Sequence, residues 1–561
     1  MKKGAFTFVL HSHLPYCRNA GRWPHGEEWI HEAIAETYLP LLNALYDLQE
    51  EGYSYKLTLG MTPVLVEQLA DKLILEHFNA YLEDKIERAV HDAERFQNEG
   101  NEHLVFLSNF YQDFYKKLRD SLRDRYHSNL IAAFKKLQDN GYIELLTSAA
   151  THGYLPLLDR DSSIHGQLIT GVTAYKRHFG RSPSAVWLPE CGYRPAYYTT
   201  VNRRKYIKPG IEYYLAELDL DLFFSETHTI EGGSPVGKAT GAVIGPYGNI
   251  PRRYVVPIPD YEEPTMRTTY LPYWVQTADV AVIGRNNRTG MQVWSADWGY
   301  PGDFDYREFH KKDGISGLQY WRVTAARLDL AYKDYYHPDW AAYKVMEHAG
   351  HYAWLVEDQL SAFAGQNDTY GIIAAAYDTE LFGHWWFEGI SWIKEVLKKL
   401  AHSEIVELTT ASEFVERHPP EDVLMLSEGS WGQAGNHFTW LNVDTEWVWP
   451  LIHSAERKME ELAARFPGAS DGLAEILNQA ARELLLLESS DWPFLITTGQ
   501  ARVYASNRFQ EHVSRFEQLA ALAVSGKIDD EALRICREIY ELDNIFPDIN
   551  YNNFKNIEQV K

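Results

Sequence analysis

Six segments of this 561-residue chain set ionisable or polar side chains directly after a short apolar run. AFTFVL runs into His11-Ser12-His13, and YKLTL is followed by Gly60-Met61-Thr62-Pro63. YIELLT leads to Thr151-His152-Gly153, and SAVWL to Pro189-Glu190-Cys191-Gly192. DLFFS is followed by Glu226 and His228, and GIIAAAY ends on Asp378. Two chemistries can use such a set. Glu190 and Asp378 suit glycoside chemistry, in which one carboxylate attacks the anomeric carbon and the other protonates the departing oxygen. That division of labour needs surroundings that split the two pKa values, and the aromatics Tyr377, Trp385 and Trp386 lie close to Asp378 in sequence. Alternatively His11, His13 and His152 form a three-histidine set of the kind that holds a catalytic zinc and its water, as in metal-dependent deacetylases.

The runs 5–10, 55–59, 142–147, 184–188, 221–225, 371–377 and 405–410 read as seven strands separated mostly by amphipathic helical sequence. Alternation of this kind predicts βαβ units and a parallel sheet. Seven units suggest an α/β fold, an incomplete TIM-like (β/α)7 barrel, whose strand ends converge on one rim. Residues 71–127 read as a helical insertion, with Leu104, Leu107, Phe110, Tyr111, Phe114, Leu118 and Leu122 at helical spacing. Residues 229–278 are rich in Gly, Pro and Tyr and read as a lid loop. The barrel is expected over 1–410 and an all-α C-terminal domain over 411–561.

Composition narrows the ligand. A formal net charge of −24 opposes nucleic acid and anionic membranes as partners. No apolar run reaches membrane-spanning length, and the apolar stretch from Ala5 to Leu10 is too short for a signal peptide. No GxGxxG or P-loop pattern opens a helix. The three cysteines show no CxxC spacing, and a cytoplasmic monomer is expected. Aromatic residues make up 14% of the chain, and several sit in polar, Gly-containing segments: GRWPHGEEW, QVWSADWGYPGD and SWGQAGNHFTWLN. Aromatic faces beside polar groups suit sugars, which present C–H faces and hydroxyl edges together.

HSHLPY, GMTPVL, VWLPECGY, AAYDTELFGHWWFEG and SWGQAGNHFTWLN resemble, in order and spacing, the signature regions of glycoside hydrolase family 57. Within it, GRWPHGEEW, QVWSADWGYPGD and DWPFLITTGQARVYASNRFQEH resemble the α-1,4-glucan branching enzymes more than the α-amylases or 4-α-glucanotransferases. The resemblance implies a (β/α)7 barrel and a retaining double displacement on an α-glucan, with no metal or organic cofactor. It makes Glu190 the nucleophile and Asp378 the general acid/base. His11, His13, His152, Trp29, Trp294, Asp303, His384, Trp431 and Trp440 fall at substrate-binding positions, and one lid tyrosine among Tyr247, Tyr254, Tyr261, Tyr270 and Tyr273 at a functional one. Transfer to sugar rather than water requires walls. Trp431 and Trp440 are expected to fold back over the barrel mouth, facing Trp29 and Trp294, with the lid above.

Overall fold

The computed structural model describes residues 2–201, 204–233, 243–245, 248–250, 265–295 and 299–556. Seven parallel strands close a barrel: β1 (Gly4–Ser12), β2 (Leu57–Met61), β3 (Ile143–Leu146), β4 (Ala185–Val186), β5 (Leu222–Ser225), β6 (Ala281–Gly284) and β7 (Gly371–Asp378). β7 pairs with β1 over eight residues, from Gly4↔Gly371 to His11↔Asp378. β1 continues to β2 and β2 to β3, and β4 continues to β5 and β5 to β6. Two seams complete the ring. Thr147 bridges Val186 between β3 and β4, and the Asn286 N–H donates to the Ala374 carbonyl, 3.1 Å, between β6 and β7.

Parallel strands covered on both faces need apolar residues throughout, and β1 and β7 are buried at every position. Val9, Leu146, Trp187, Phe224, Ile283 and Ala376 from different strands fill the interior in one cluster with Trp431. The barrel is therefore a packed core, open for chemistry only at its strand ends.

The count of seven agrees with the sequence, but one member differs. β6, the run AVIG, was not among the expected strands. Val406–Leu408, which was, pairs only with Gly4–Phe6 of β1, filling the edge of β1 that β2 leaves open at the barrel floor. In the region 71–127, Lys72–Glu99 and Glu102–Asp120 form two long helices joined at Gly100 and Asn101. Not all of 229–278 is loop: Tyr273–Val275 is a strand antiparallel to β6. Tyr270 donates to Gln359 Oε1, 2.9 Å, and the buried Tyr273 donates to the Thr268 carbonyl, 3.1 Å. The Tyr270 bond ties the segment to the helix Pro338–Asn367, whereas the Tyr273 bond closes a turn within the segment. Tyr247, Tyr254 and Tyr261 lie outside the described residues.

The chain stays with the barrel sheet past 410, since Val423–Leu424 pairs in parallel with Trp274 and Val275. From Val448 onward it is helical, with major helices at Val448–Arg465, Asp471–Leu487, Asp491–Thr498, Arg502–Ser525 and Asp530–Leu542. These helices share one continuous core with the flank of the barrel, where Leu484, Trp492 and Phe509 join Val186, Phe223 and Val282. Within them a fully buried His512 donates through Nδ1 to Glu483, 2.8 Å, with Asp543 held by Arg515 at 2.6 Å.

Candidate active site

A cleft of about 500 Å³ opens over the C-terminal ends of the strands, lined by both carboxylates, Glu190 and Asp378. Asp378 is the last residue of β7 and stands level with His11 of β1. Glu190 follows β4 in a one-turn 3₁₀ helix, Pro189–Cys191, and takes φ 61°, ψ 24°. A left-handed conformation is strained for Glu. Contacts on both sides hold it there. The Trp431 backbone N–H donates to the Glu190 carbonyl, 3.0 Å, and Trp431 Nε1–H donates to Glu190 Oε2, 2.6 Å. Gly192 lets the turn press on its support, since a Cβ there would lie 2.8 Å from the Tyr154 ring.

The three histidines converge on the cleft, but their nitrogens face one another and the walls rather than a common point. His13 Nδ1 meets Thr62 Oγ1 at 3.0 Å, and its Nε2 lies 3.0 Å from both carboxylate oxygens of Asp491. His152 bonds Ser490 Oγ through Nδ1, 2.9 Å, and His11 Nε2 through Nε2, 3.0 Å. The His13 and His152 rings stack with centroids 3.8 Å apart. Burial pushes the His13 pKa down, but Asp491, with Glu190 and Glu380 beyond it, outweighs burial and raises it. Among the described residues, the one trio of potential ligands that does converge is Glu483, His512 and Asp543, away from the cleft.

His384 lines the opposite wall and donates to Glu36, 2.8 Å. Burial lowers its pKa, but the Glu36 bond and Glu32 raise it overall. Glu36 also accepts from Arg307 at 2.9 Å. Despite burial, Arg307 and His384 hold Glu36 down at about 2, so this wall is fixed and ionised. Gly383 allows the close approach: at φ +102°, a Cβ there would lie 1.8 Å from the Glu36 carbonyl oxygen.

Of the residues expected to contact substrate, His11, His13, Trp29, His152, His384 and Trp431 line the cleft. Trp294, Asp303 and Trp440 do not. Trp294 is a neighbour of the lining residue Trp385, ring centroids 6.4 Å apart. The Asp303 carboxylate lies 3.5 Å from His348 and caps the Asp305 N–H at 3.0 Å. Trp440 is fully buried, stacked at 4.1 Å on Tyr154. Trp431 is buried too, and its indole N–H is spent on Glu190, so where it meets the cleft it supports that carboxylate. Glu226 pairs with Arg285 at 2.6 Å beneath the cleft and does not line it.

Several cleft residues escaped the sequence reading, Glu380 and Asp491 among them. Glu380, two positions after Asp378, accepts on one oxygen from the Tyr38 hydroxyl and from the His13 N–H. Burial, reinforced by Asp378, pushes its pKa up to about 7 despite the Tyr38 bond. Asp491 comes from the helical region, and Phe494, Leu495 and Gln500 of that region join it in the cleft wall. The Asp–Thr–Glu spacing after a strand is a signal for Glu380. Nothing local to Asp491 announces its partner, which is 478 residues away in sequence.

This geometry pairs two carboxylates at the mouth of a seven-stranded barrel, and the family model of glycosyl hydrolase family 57 matches the chain over residues 7–427. The chain belongs to glycosyl hydrolase family 57. A second model, of the C-terminal region of 1,4-α-glucan branching enzymes, matches residues 451–554. The 1,4-α-glucan branching enzyme of Thermococcus kodakarensis is 44% identical over 550 residues, 97% of this chain and 77% of that protein. The crystal structure of a family 57 branching enzyme from that archaeon, in complex with glucose and additives, superposes with TM-score 0.88 at 42% identity, covering 99% of this chain and 96% of that one. The branching enzyme of Pyrococcus horikoshii gives TM-score 0.86 at 41% identity over 99% and 97%. An α-amylase from Thermotoga maritima gives TM-score 0.81 at 30% identity over 99% of each chain. This family 57 protein thus shares its fold with both transferases and a hydrolase.

Proposed function

We infer that this protein is a 1,4-α-glucan branching enzyme. The observation that carries the reading is the origin of the cleft wall. The stretch that matches the branching-enzyme C-terminal model supplies Asp491, Phe494, Leu495 and Gln500 to the same cleft that holds Glu190 and Asp378. Water at roughly 55 M competes with any sugar acceptor, and a bound, oriented acceptor can offset that excess with about 7–11 kcal/mol of pre-organisation. A wall built from a second part of the chain provides the surface on which an acceptor is oriented and from which water is displaced. The α-amylase relative shares the architecture, so hydrolysis is the competing reading; the 41–44% identity to the two archaeal branching enzymes against 30% to that amylase, together with the match to the branching-enzyme C-terminal model, favours transfer.

In this reading Glu190 attacks the anomeric carbon of an α-1,4-linked glucosyl unit while Asp378 gives its proton to the departing glycosidic oxygen. The C–O bond breaks and a glucosyl ester forms on Glu190. Asp378, now a carboxylate, takes the proton from an acceptor 6-hydroxyl, whose oxygen displaces Glu190 and forms the α-1,6 bond. Two inversions retain the α configuration. The bond from Trp431 aims one oxygen of Glu190, and the rings of His11, His13, His152 and His384 wall the path of the glucan. The scheme calls on no metal or organic cofactor. The substrate is an amylose- or glycogen-like chain, and the setting is glycogen synthesis in the cytoplasm by a monomer. All three cysteines are free and buried, as a reducing compartment permits. In this reading a barrel unit over about 1–410 carries the two carboxylates and a C-terminal unit over 411–561, helical from Val448 onward, adds the wall. Incubation with linear amylose followed by an α-1,6-specific debranching enzyme tests the reading. Release of new short chains supports it; reducing ends that rise without debranchable chains would favour an amylase.

A further inference from the structure

His13 is gripped by groups that neither attack nor protonate the glucan. Its N–H donates to Glu380, 3.1 Å, its Nδ1 meets Thr62, and its Nε2 faces both oxygens of Asp491 at 3.0 Å. The His13 and Asp491 side chains are only 11% and 12% exposed. Asp491 is itself anchored, because Ser489 Oγ donates to its Oδ2 at 2.6 Å. Beyond His13, the stacked His152 ring places Nδ1 4.0 Å from Glu190 Oε1. Asp491, His13, His152 and Glu190 therefore form one line, running from the helical region to the nucleophile position.

Hydrogen-bond chemistry locates the charge along this line. An ionised carboxylate only accepts, so His13 Nε2 carries a proton, and the Thr62 hydroxyl can accept a hydrogen bond from a second proton on Nδ1. His152 differs: its Nε2 is shared with His11 Nε2, so one ring of that pair presents a bare nitrogen. A charge on His152, face to face with a charged His13, would also meet like-charge repulsion. The groups facing His13 are Asp491, Glu190 and Glu380, whose negative charge favours its own, and His11 and His152, which share one hydrogen bond and so include at least one ring with an unprotonated nitrogen.

We propose that Asp491 is a positioning residue that keeps a positive charge on His13, and that this charge, one ring away from Glu190, holds the nucleophile ionised. The pair turns its positive end toward Glu190 and its negative end into the helical region. That region would thus set the working pH of a barrel residue as well as walling the cleft. The inference rests on Glu190 being the nucleophile of the retaining reaction inferred above.

Asp491→Asn tests it, because an amide oxygen still accepts from Nε2–H while the charge is gone. The acid limb of kcat/KM for amylose, which reports ionisation of the free-enzyme nucleophile, should move up by about one pH unit, with Asp491→Glu restoring it. A purely structural role would lower activity by the same factor at every pH and leave the limb in place, and that result overturns the inference. Should Asp491→Asn not fold, His13→Gln carries the same test: its limb should move by a similar amount, and an unmoved limb overturns the inference equally. Wild type measured in the same series separates the two claims. An inactive wild type overturns the branching reading and this inference together, whereas an active wild type with an unmoved limb in the variant overturns this inference alone.

Discussion

Replacing Trp431 with Phe removes one hydrogen-bond donor from the site and little else. The Trp431 backbone bond to Glu190 is untouched, and the new ring still packs against Trp187, whose centroid lies 5.0 Å from that of Trp431. What goes is the 2.6 Å bond from Nε1 to Glu190 Oε2. A hydrogen bond to a charged group is worth about 1.5–3 kcal/mol, and one made to the ionised form lowers a carboxyl pKa. At about 1.36 kcal/mol per unit, its loss should move the acid limb of the pH–rate profile up by about 1–2 units. On the plateau, Glu190 loses the contact that aims it in a strained backbone turn, and a misplaced nucleophile costs up to about a hundredfold in rate. We expect kcat to fall about ten- to a hundredfold. Because on the proposed mechanism cleavage precedes both outcomes and passes through Glu190, branching and hydrolysis should fall together. The assay counts new α-1,6 bonds by debranching and free reducing ends in the same digest, across pH. An unmoved acid limb, or branching falling well below hydrolysis, would refute the reasoning and return Trp431 to the role of acceptor wall.

Glu380 should make stability pH-dependent. Its folded pKa of about 7 lies above the ordinary carboxylate value of 4.5, so the folded state holds a proton that the unfolded chain releases. Its contribution is fully present below about pH 4.5 and is lost as pH rises to about 7, amounting to about 3 kcal/mol. Denaturant unfolding of Glu380→Gln should show that dependence removed; an unchanged pH profile would contradict it. Trp440→Ala should destabilise the fold by about 3–5 kcal/mol without altering the ratio of branching to hydrolysis, because the ring is buried on Tyr154; a changed ratio in folded protein would place Trp440 in the cleft after all. Exhaustive chelation should leave activity intact; activity lost and restored by zinc would make ligands of His11, His13 and His152.

Much of the site was legible because parallel strands end where their apolar runs end. The strand-end residues Asp378 and His11, and Glu190 just beyond β4, could be read from local sequence alone. The residues misread or missed depend on contacts that sequence spacing does not encode. Trp431 and Trp440 share one segment, yet one indole turns under Glu190 and the other onto Tyr154; spacing in an irregular loop carries no face. β6 has only four residues, beside a Tyr- and Pro-rich stretch, whereas 405–410 is locally a good strand that finds its partner at the barrel floor. Trp294 and Asp303 lie in a polar aromatic segment of the kind that suits sugars, but Trp294 packs near Trp385 and Asp303 pairs with His348. Asp491 needed the three-dimensional fold, because a carboxylate opening a helix has an ordinary local explanation.

The claim from which the others descend is that a glucan chain rests covalently on Glu190 between cleavage and transfer. It is tested most directly by trapping that ester. A fluorinated α-glucosyl fluoride forms the ester but loses it slowly, and digestion followed by mass spectrometry locates the label. The account predicts stoichiometric label on the peptide that contains Glu190, and none in Glu190→Gln. Label on the peptide carrying Asp378 and Glu380, or turnover of amylose with no label trapped anywhere, would contradict it.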